Sequence, residues 1–164
     1  MTRAWAIALA LGLFTSGASA RDVEDILQGR FIVSEREIPT DYKSPTAYAH
    51  KLKRMHRKQI EVGGTTTLHC AAFFAEPVPD GQVDVVVFDE SEEKLVAKRS
   101  WDAFLARPGD RALFVTLTLG PDDVPLNRSY KFAVVSRRRL LASGTILLTA
   151  APRRVTPQTQ DFTK

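Results

Sequence analysis

Only one cysteine, Cys70, occurs in the 164 residues, so no intrachain disulfide staples the fold and no Cys-rich zinc module forms. Glycine and proline number nine each and follow no period, which excludes collagen-like and low-complexity chains. Neither charge sign dominates: 23 Lys+Arg against 19 Asp+Glu give +4, too little to argue for a nucleic-acid protein. Beyond the first twenty residues no apolar run approaches the roughly 20 residues that a helix needs to cross a bilayer. The sequence has no Gly-x-Ser-x-Gly element, phosphate-binding loop, zincin motif or internal repeat. What is present, 44% hydrophobic and 26% charged residues, is ordinary globular composition at the length of one domain.

The N-terminus reads as an address. Arg3 supplies a positive start, Ala4 to Phe14 is an uncharged apolar run, and Ala18-Ser19-Ala20 fits small-x-small cleavage. Residues 1–20 are therefore expected to be a signal peptide, and the run is too short for a membrane anchor. Cleavage after Ala20 removes one basic residue and leaves a net charge of +3. The expected localisation is exported, periplasmic or extracellular, with no transmembrane segment after cleavage. In an oxidising compartment Cys70 is either buried or paired with another molecule, and its apolar neighbours Leu68 and Ala72 favour burial.

Most of the remaining chain alternates with period two. Phe31 to Ile38 ends at Pro39 and suits an edge strand. Ile60 and Val62 precede a Gly63-Gly64 turn; Leu68, Cys70, Ala72 and Phe74 then share one face. Val83, Val85 and Val87 point inward, and Leu95, Ala97 and Trp101 indicate a further strand. Leu113 to Leu119, Tyr130 to Val134 and Leu140 to Thr149 complete the set. This predicts an all-β, antiparallel sandwich of seven to eight strands over residues 21–149, with residues 150–164 a disordered polar tail. Segment 44–58 breaks the pattern. Ser44-Pro45 is a helix start, and Tyr48, Leu52 and Met55 form one apolar stripe, predicting a short basic helical insertion.

Two stretches resemble immunoglobulin and fibronectin type III domains. Ile60-Glu-Val-Gly-Gly-Thr-Thr-Thr-Leu-His-Cys70 is similar to the opening strands of an immunoglobulin-type domain. Val124-Pro-Leu-Asn-Arg-Ser-Tyr130-Lys-Phe132-Ala-Val134 resembles the tyrosine corner, in which a Tyr hydroxyl bonds back to the chain just upstream. The resemblance covers about residues 60–149 and implies an immunoglobulin-like sandwich. It departs where the second cysteine belongs: Phe132 stands there, which implies that Cys70 faces Phe132 across the core. Leu126 and Arg128 replace the family's Asp and Gly, and Val85 or Val87 its Trp.

The strongest candidate surface is basic. Residues 41–58 hold six Lys/Arg and one Asp, a net +5 that exceeds the excess of the whole mature chain. Lys51, Lys53, Arg54, Arg57 and Lys58 could seat the helix on an anionic glycan, envelope polymer or lipid surface. In the alternative, the apolar stripe caps an open end of the sandwich and the charges are its wet face. Arg137, Arg138 and Arg139, with Arg153 and Arg154, form a second candidate patch, or else a charged turn that blocks edge pairing. No nucleic-acid partner is expected, because no aromatics interleave these charges.

The remaining constellations are weak. His50 and His56 are six apart, unlike the i, i+4 pair of a zinc helix, and His69 and Cys70 point to opposite faces of a strand, so no metal site is expected. Asp89, Glu90, Glu92 and Glu93 lack the alternating pattern of a calcium loop and read as a solvated hairpin tip. Asn127-Arg128-Ser129 has the pattern of a glycosylation sequon. A cleft joining His69, Asp84 and Glu90 would be needed for an enzyme. The expectation is a non-catalytic interaction or assembly module of the cell envelope, without cofactor, bound to an envelope or secreted protein or to an anionic surface. Cys70, Tyr130 and Phe132 are expected to be structural.

Overall fold

The structure, a computed structural model, describes residues 22–92 and 96–152. The expected signal peptide, most of the expected disordered tail, Arg153, Arg154, Glu93 and Leu95 lie outside the described residues. Among the described residues two helices, α1 (Val23–Leu27) and α2 (Pro45–Met55), accompany eight strands. The strands are β1 (Phe31–Ser34), β2 (Gln59–Val62), β3 (Thr66–Phe73), β4 (Gln82–Asp89), β5 (Ala97–Phe104), β6 (Ala112–Leu119), β7 (Arg128–Ser136) and β8 (Arg139–Ala150). They form a three-stranded sheet in the order β1-β3-β6 and a curled five-stranded sheet in the order β2-β8-β7-β4-β5.

The period-two residues fill the space between the sheets. Leu68, Cys70 and Ala72 of β3 meet Val83, Val85 and Val87 of β4 and Tyr130, Phe132 and Val134 of β7 in one core. The Phe132 ring also stacks on Phe31 of β1, with 6.1 Å between centroids. Cys70 lies in the same core, 2% exposed. Burial pushes its thiol far up from the ordinary range, so the reactive thiolate is suppressed. Native protein should therefore label slowly with a thiol reagent and denatured protein rapidly. Equal rates in a stopped-flow labelling assay would remove Cys70 from the core.

Three expectations are corrected. The large sheet is mixed, because β2 runs parallel to β8, pairing Gln59 with Leu147 and Val62 with Ala150. Alternation along each strand is the same for parallel and antiparallel neighbours, so the sequence pattern does not separate the two. The insertion 44–58 is helical only over Pro45–Met55; His56 caps it, and Arg57 and Lys58 lead into β2. The apolar stripe also does not cap an open end. Tyr48, Ala49 and Leu52 pack with Val23, Leu27, Ile32, Ile38, Ala71 and Phe73 in a second core on the outer face of the small sheet. Both faces of that sheet are thus buried over part of their area. The fold is mostly β, with a helical layer on one side.

The helix layer is fastened by specific bonds. The Ser44 hydroxyl accepts from the Ala47 N–H at the N-terminus, with Pro45 in the first turn. The Tyr48 hydroxyl donates to the Pro39 carbonyl, and burial pushes its pKa up to about 12. At the other end, the Val33 N–H of β1 donates to His56 Nδ1 at 3.2 Å, and the Arg57 N–H donates to the Val33 carbonyl at 2.8 Å. The outer edge of β1 is therefore covered by the chain leaving α2, one way of protecting an edge strand.

This arrangement carries a pH dependence. Burial, then Lys58 and Arg30, lower the His56 pKa from its ordinary 6.5. A protonated ring has no lone pair for the Val33 N–H. Above the ordinary value both folded and unfolded chains hold His56 neutral, and its contribution is complete. As pH falls through that value the unfolded chain takes up a proton that the folded chain resists, so stability falls until the lower folded pKa is passed. The urea midpoint should drop between about pH 7.5 and pH 5, the range in which a histidine titrates. A His56→Gln variant, whose amide oxygen can accept the same N–H, should flatten that slope; an unchanged slope would exclude His56 as its source.

Candidate binding surfaces

Because α2 turns Tyr48, Ala49 and Leu52 inward, its other side is exposed. His50, Lys51, Lys53 and Arg54 lie there, and Arg57 and Lys58 follow just beyond the helix, all exposed except at the cap. Arg57 is the member with a partner: its Nε lies 3.1 Å from Glu35 Oε2, on a half-exposed pair. Among the described residues Lys51, Lys53, Arg54 and Lys58 form no ion pair. Their charges stand exposed around the outer side of α2 and just beyond it, over an apolar underside packed in the second core.

The second basic group is arranged differently. Arg137 and Arg138 form the two-residue turn of the β7–β8 hairpin, closed by the Ser136–Arg139 pair. Arg137 binds Asp80 through two guanidinium nitrogens, Nε to Oδ2 at 2.6 Å and Nη2 to Oδ1 at 2.7 Å. Arg139 Nη2 lies 3.2 Å from Glu76 Oε2. Two members of the triplet are thus tied to the β3–β4 connection, and Arg138 has no ion pair among the described residues. The structure does not bring this triplet and the α2 ridge together on one element.

The acidic tip is less solvated than its composition implies. Asp89 ends β4 fully buried, and its Oδ1 accepts from the Ser91 hydroxyl at 2.6 Å and the Ser91 N–H at 2.9 Å. Arg128 Nη1 lies 3.0 Å from Asp89 Oδ2. The two Ser91 bonds, with Arg128, hold the carboxyl down at about 2. Glu92 pairs with Lys98 at 2.6 Å, and Glu90 accepts from the Thr145 hydroxyl at 2.8 Å. These carboxylates serve the hairpin rather than converging, and among the described residues no group of three or more His, Cys, Asp or Glu is placed to hold a metal ion. The Asp-x-Ser spacing is an Asx-turn signal that would have revealed the inward turn of Asp89.

The three histidines occupy separate settings: His50 exposed on α2, His56 bonded to β1, and His69 beside Thr116, its Nδ1 3.4 Å from Oγ1. His69 stands on the small sheet, whereas Asp84 and Glu90 stand at and just beyond β4 in the large one, so the structure does not gather that trio. Tyr130 is fully buried, and its hydroxyl donates to the Pro125 carbonyl five residues upstream at 2.5 Å. Asn127 adopts a left-handed conformation, φ 63°, and its side-chain oxygen accepts from the Ala150 N–H.

No known family model and no curated protein matches the chain. No described helix is long and apolar enough to cross a membrane. Both basic groups are visible in the sequence, whereas His56 as the link between α2 and β1 and the buried role of Asp89 are not.

Proposed function

We propose that the chain is an exported, non-catalytic binding module whose contact surface is the basic ridge of α2 and the segment after it, seated on an anionic surface of the cell envelope. The observation that carries this reading is the set Lys51, Lys53, Arg54 and Lys58, exposed around the outer side of α2 and just beyond it and without an ion pair among the described residues. Each basic residue close to an anionic lipid surface contributes on the order of 1 kcal/mol, so the set acts together at low salt. Because the apolar face of α2 is engaged in the second core, the ridge would adsorb rather than insert. Export rests on the pattern of residues 1–20. The finer fold reading, an immunoglobulin-like sandwich, is supported by β1-β3-β6 packing on β2-β8-β7-β4-β5 and by the Tyr130 bond to Pro125.

Cosedimentation with phosphatidylglycerol and phosphatidylcholine vesicles tests the reading. Binding should be confined to the anionic vesicles and should fade as salt rises, since screening shortens to roughly 3 Å at 1 M. Replacing Lys51, Lys53, Arg54, Arg57 and Lys58 with Gln should abolish it while moving the urea midpoint little, because exposed charges contribute little to stability. Salt-insensitive binding, or binding retained by the quintuple variant, would overturn the proposal.

A further inference from the structure

The outermost strands of the two sheets are β1 and β6 in the small one and β2 and β5 in the large one. Three of these edges are protected. That of β1 is covered by the chain leaving α2. β2 is only four residues long and exposes Gln59 and Glu61. β5 carries Lys98, Arg99 and Asp102, and its pairing with β4 is irregular between Val87 and Phe88. Short strands, charges and bulges are ordinary means of keeping another strand off a sheet edge. β6 has none of them. Ala112–Leu119 contains no charge and no proline, and all eight residues pair with β3 without a register shift.

The register fixes which backbone groups of β6 are free. One step beyond the Phe73–Ala112 pair, the Phe74 N–H donates to the Arg111 carbonyl at 2.8 Å. Opposed pairs in an antiparallel ladder alternate between bonded and non-bonded, so Leu113, Val115, Leu117 and Leu119 bond to β3. The N–H and C=O groups of Ala112, Phe114, Thr116 and Thr118 therefore point to the open edge. Among the described residues no strand other than β3 pairs with β6, and no loop hydrogen bond reaches these groups. The side chains of Phe114, Thr116 and Thr118 are exposed on the outer face, with the Phe114 ring edge-on to Phe73.

We infer that β6 pairs with β6 of a second copy of this chain, antiparallel, about a two-fold axis at Val115. In that register Val115 opposes its own copy, Leu113 opposes the partner's Leu117, and Phe114 opposes the partner's Thr116. The two exposed Phe114 rings become diagonal neighbours within reach of each other. The free groups of both strands then form about eight backbone bonds. No like charges meet on the paired strands, because Ala112–Leu119 has none. Closure favours a second copy over a foreign strand. A foreign strand would bring a further open edge, whereas two copies join into one sheet, β1-β3-β6-β6-β3-β1, whose ends are the covered edges of β1. The inference goes beyond the adsorption reading and uses none of the α2 residues.

Sedimentation velocity of the chain lacking residues 1–20 should show a concentration-dependent dimer. Thr116→Pro removes an outward N–H and none of the bonds to β3, so circular dichroism should stay unchanged while the dimer dissociation constant rises by roughly tenfold or more. Val115→Cys sets two thiols on the axis, where the Cα separation of a non-bonded pair, about 4.5 Å, permits a disulfide. Copper–phenanthroline should oxidise it to a covalent dimer; the buried Cys70 does not compete. Thr118→Cys should stay uncrosslinked, because its two copies would stand roughly 20 Å apart along the strands. A monomer at every concentration, a dimer unmoved by Thr116→Pro, or equal cross-linking of the two cysteine variants would overturn the inference. Vesicle binding is scored on other residues, so the two readings fail separately.

Discussion

Leu52→Ala is expected to destabilise the protein by about 2–5 kcal/mol, the range for removing a buried leucine side chain from a packed core. Leu52 is fully buried and sits in the second core between Val23 and Leu27 of α1 and Ile32, Ala71 and Phe73 of the small sheet. Truncation leaves a cavity that neither side can readily close. The sheet is held by its ladder on one side, and α2 is pinned by Ser44 at one end and His56 at the other. The neighbouring Lys51→Gln and Lys53→Gln changes should move stability by no more than about 0.5 kcal/mol, since both positions are exposed. Urea denaturation of the three variants makes the comparison. If Leu52→Ala behaves like the lysine variants, the helix is peripheral and the second core is wrongly drawn.

Gly144→Ala should destabilise the protein at the upper end of the roughly 1–3 kcal/mol found for overpacked cores, or beyond it. A β-carbon at Gly144 would stand 2.4 Å from the Phe31 carbonyl oxygen, a backbone atom that cannot swing aside. Here β1 crosses close over β8: the Ser143 N–H donates to the Gly29 carbonyl at 3.0 Å, and Arg30 bridges Ser143. Relieving the clash would pull Phe31 away from Phe132 and open the joint between the two sheets. Gly64→Ala is the control, because nothing lies within 4 Å of a β-carbon placed there. Equal denaturation midpoints for the two variants would show that β1 does not pass over β8 as described.

Much of this was legible in the chain. Ser44-Pro45 and the Tyr48, Leu52, Met55 stripe located α2 because a cap, a preset proline and helical spacing are local signals. The inward residues of β3, β4 and β7 followed from alternation. What α2 covers was not legible. Ala71 and Phe73 lie on the face of β3 opposite Cys70, and alternation marks them only as outward until a helix is known to lie over them. For the same reason Phe31–Ser34, which reads as an edge strand, is buried along its whole length.

The candidate surfaces divide the same way. That the basic residues cluster, that Cys70 and Phe132 are core residues and that strands dominate can be read along the chain, since composition, spacing and alternation are properties of neighbours. Which charges are free depends on how distant segments pack. Arg137 and Arg139 meet Asp80 and Glu76 across 57 and 63 residues of chain, Asp89 meets Arg128 across 39, and the α2 lysines meet no carboxylate among the described residues. The parallel β2–β8 pair and the passage of β1 over Gly144 belong to the same class. Such pairings join segments distant in sequence, and their energies depend on distances that no local pattern of residue types encodes.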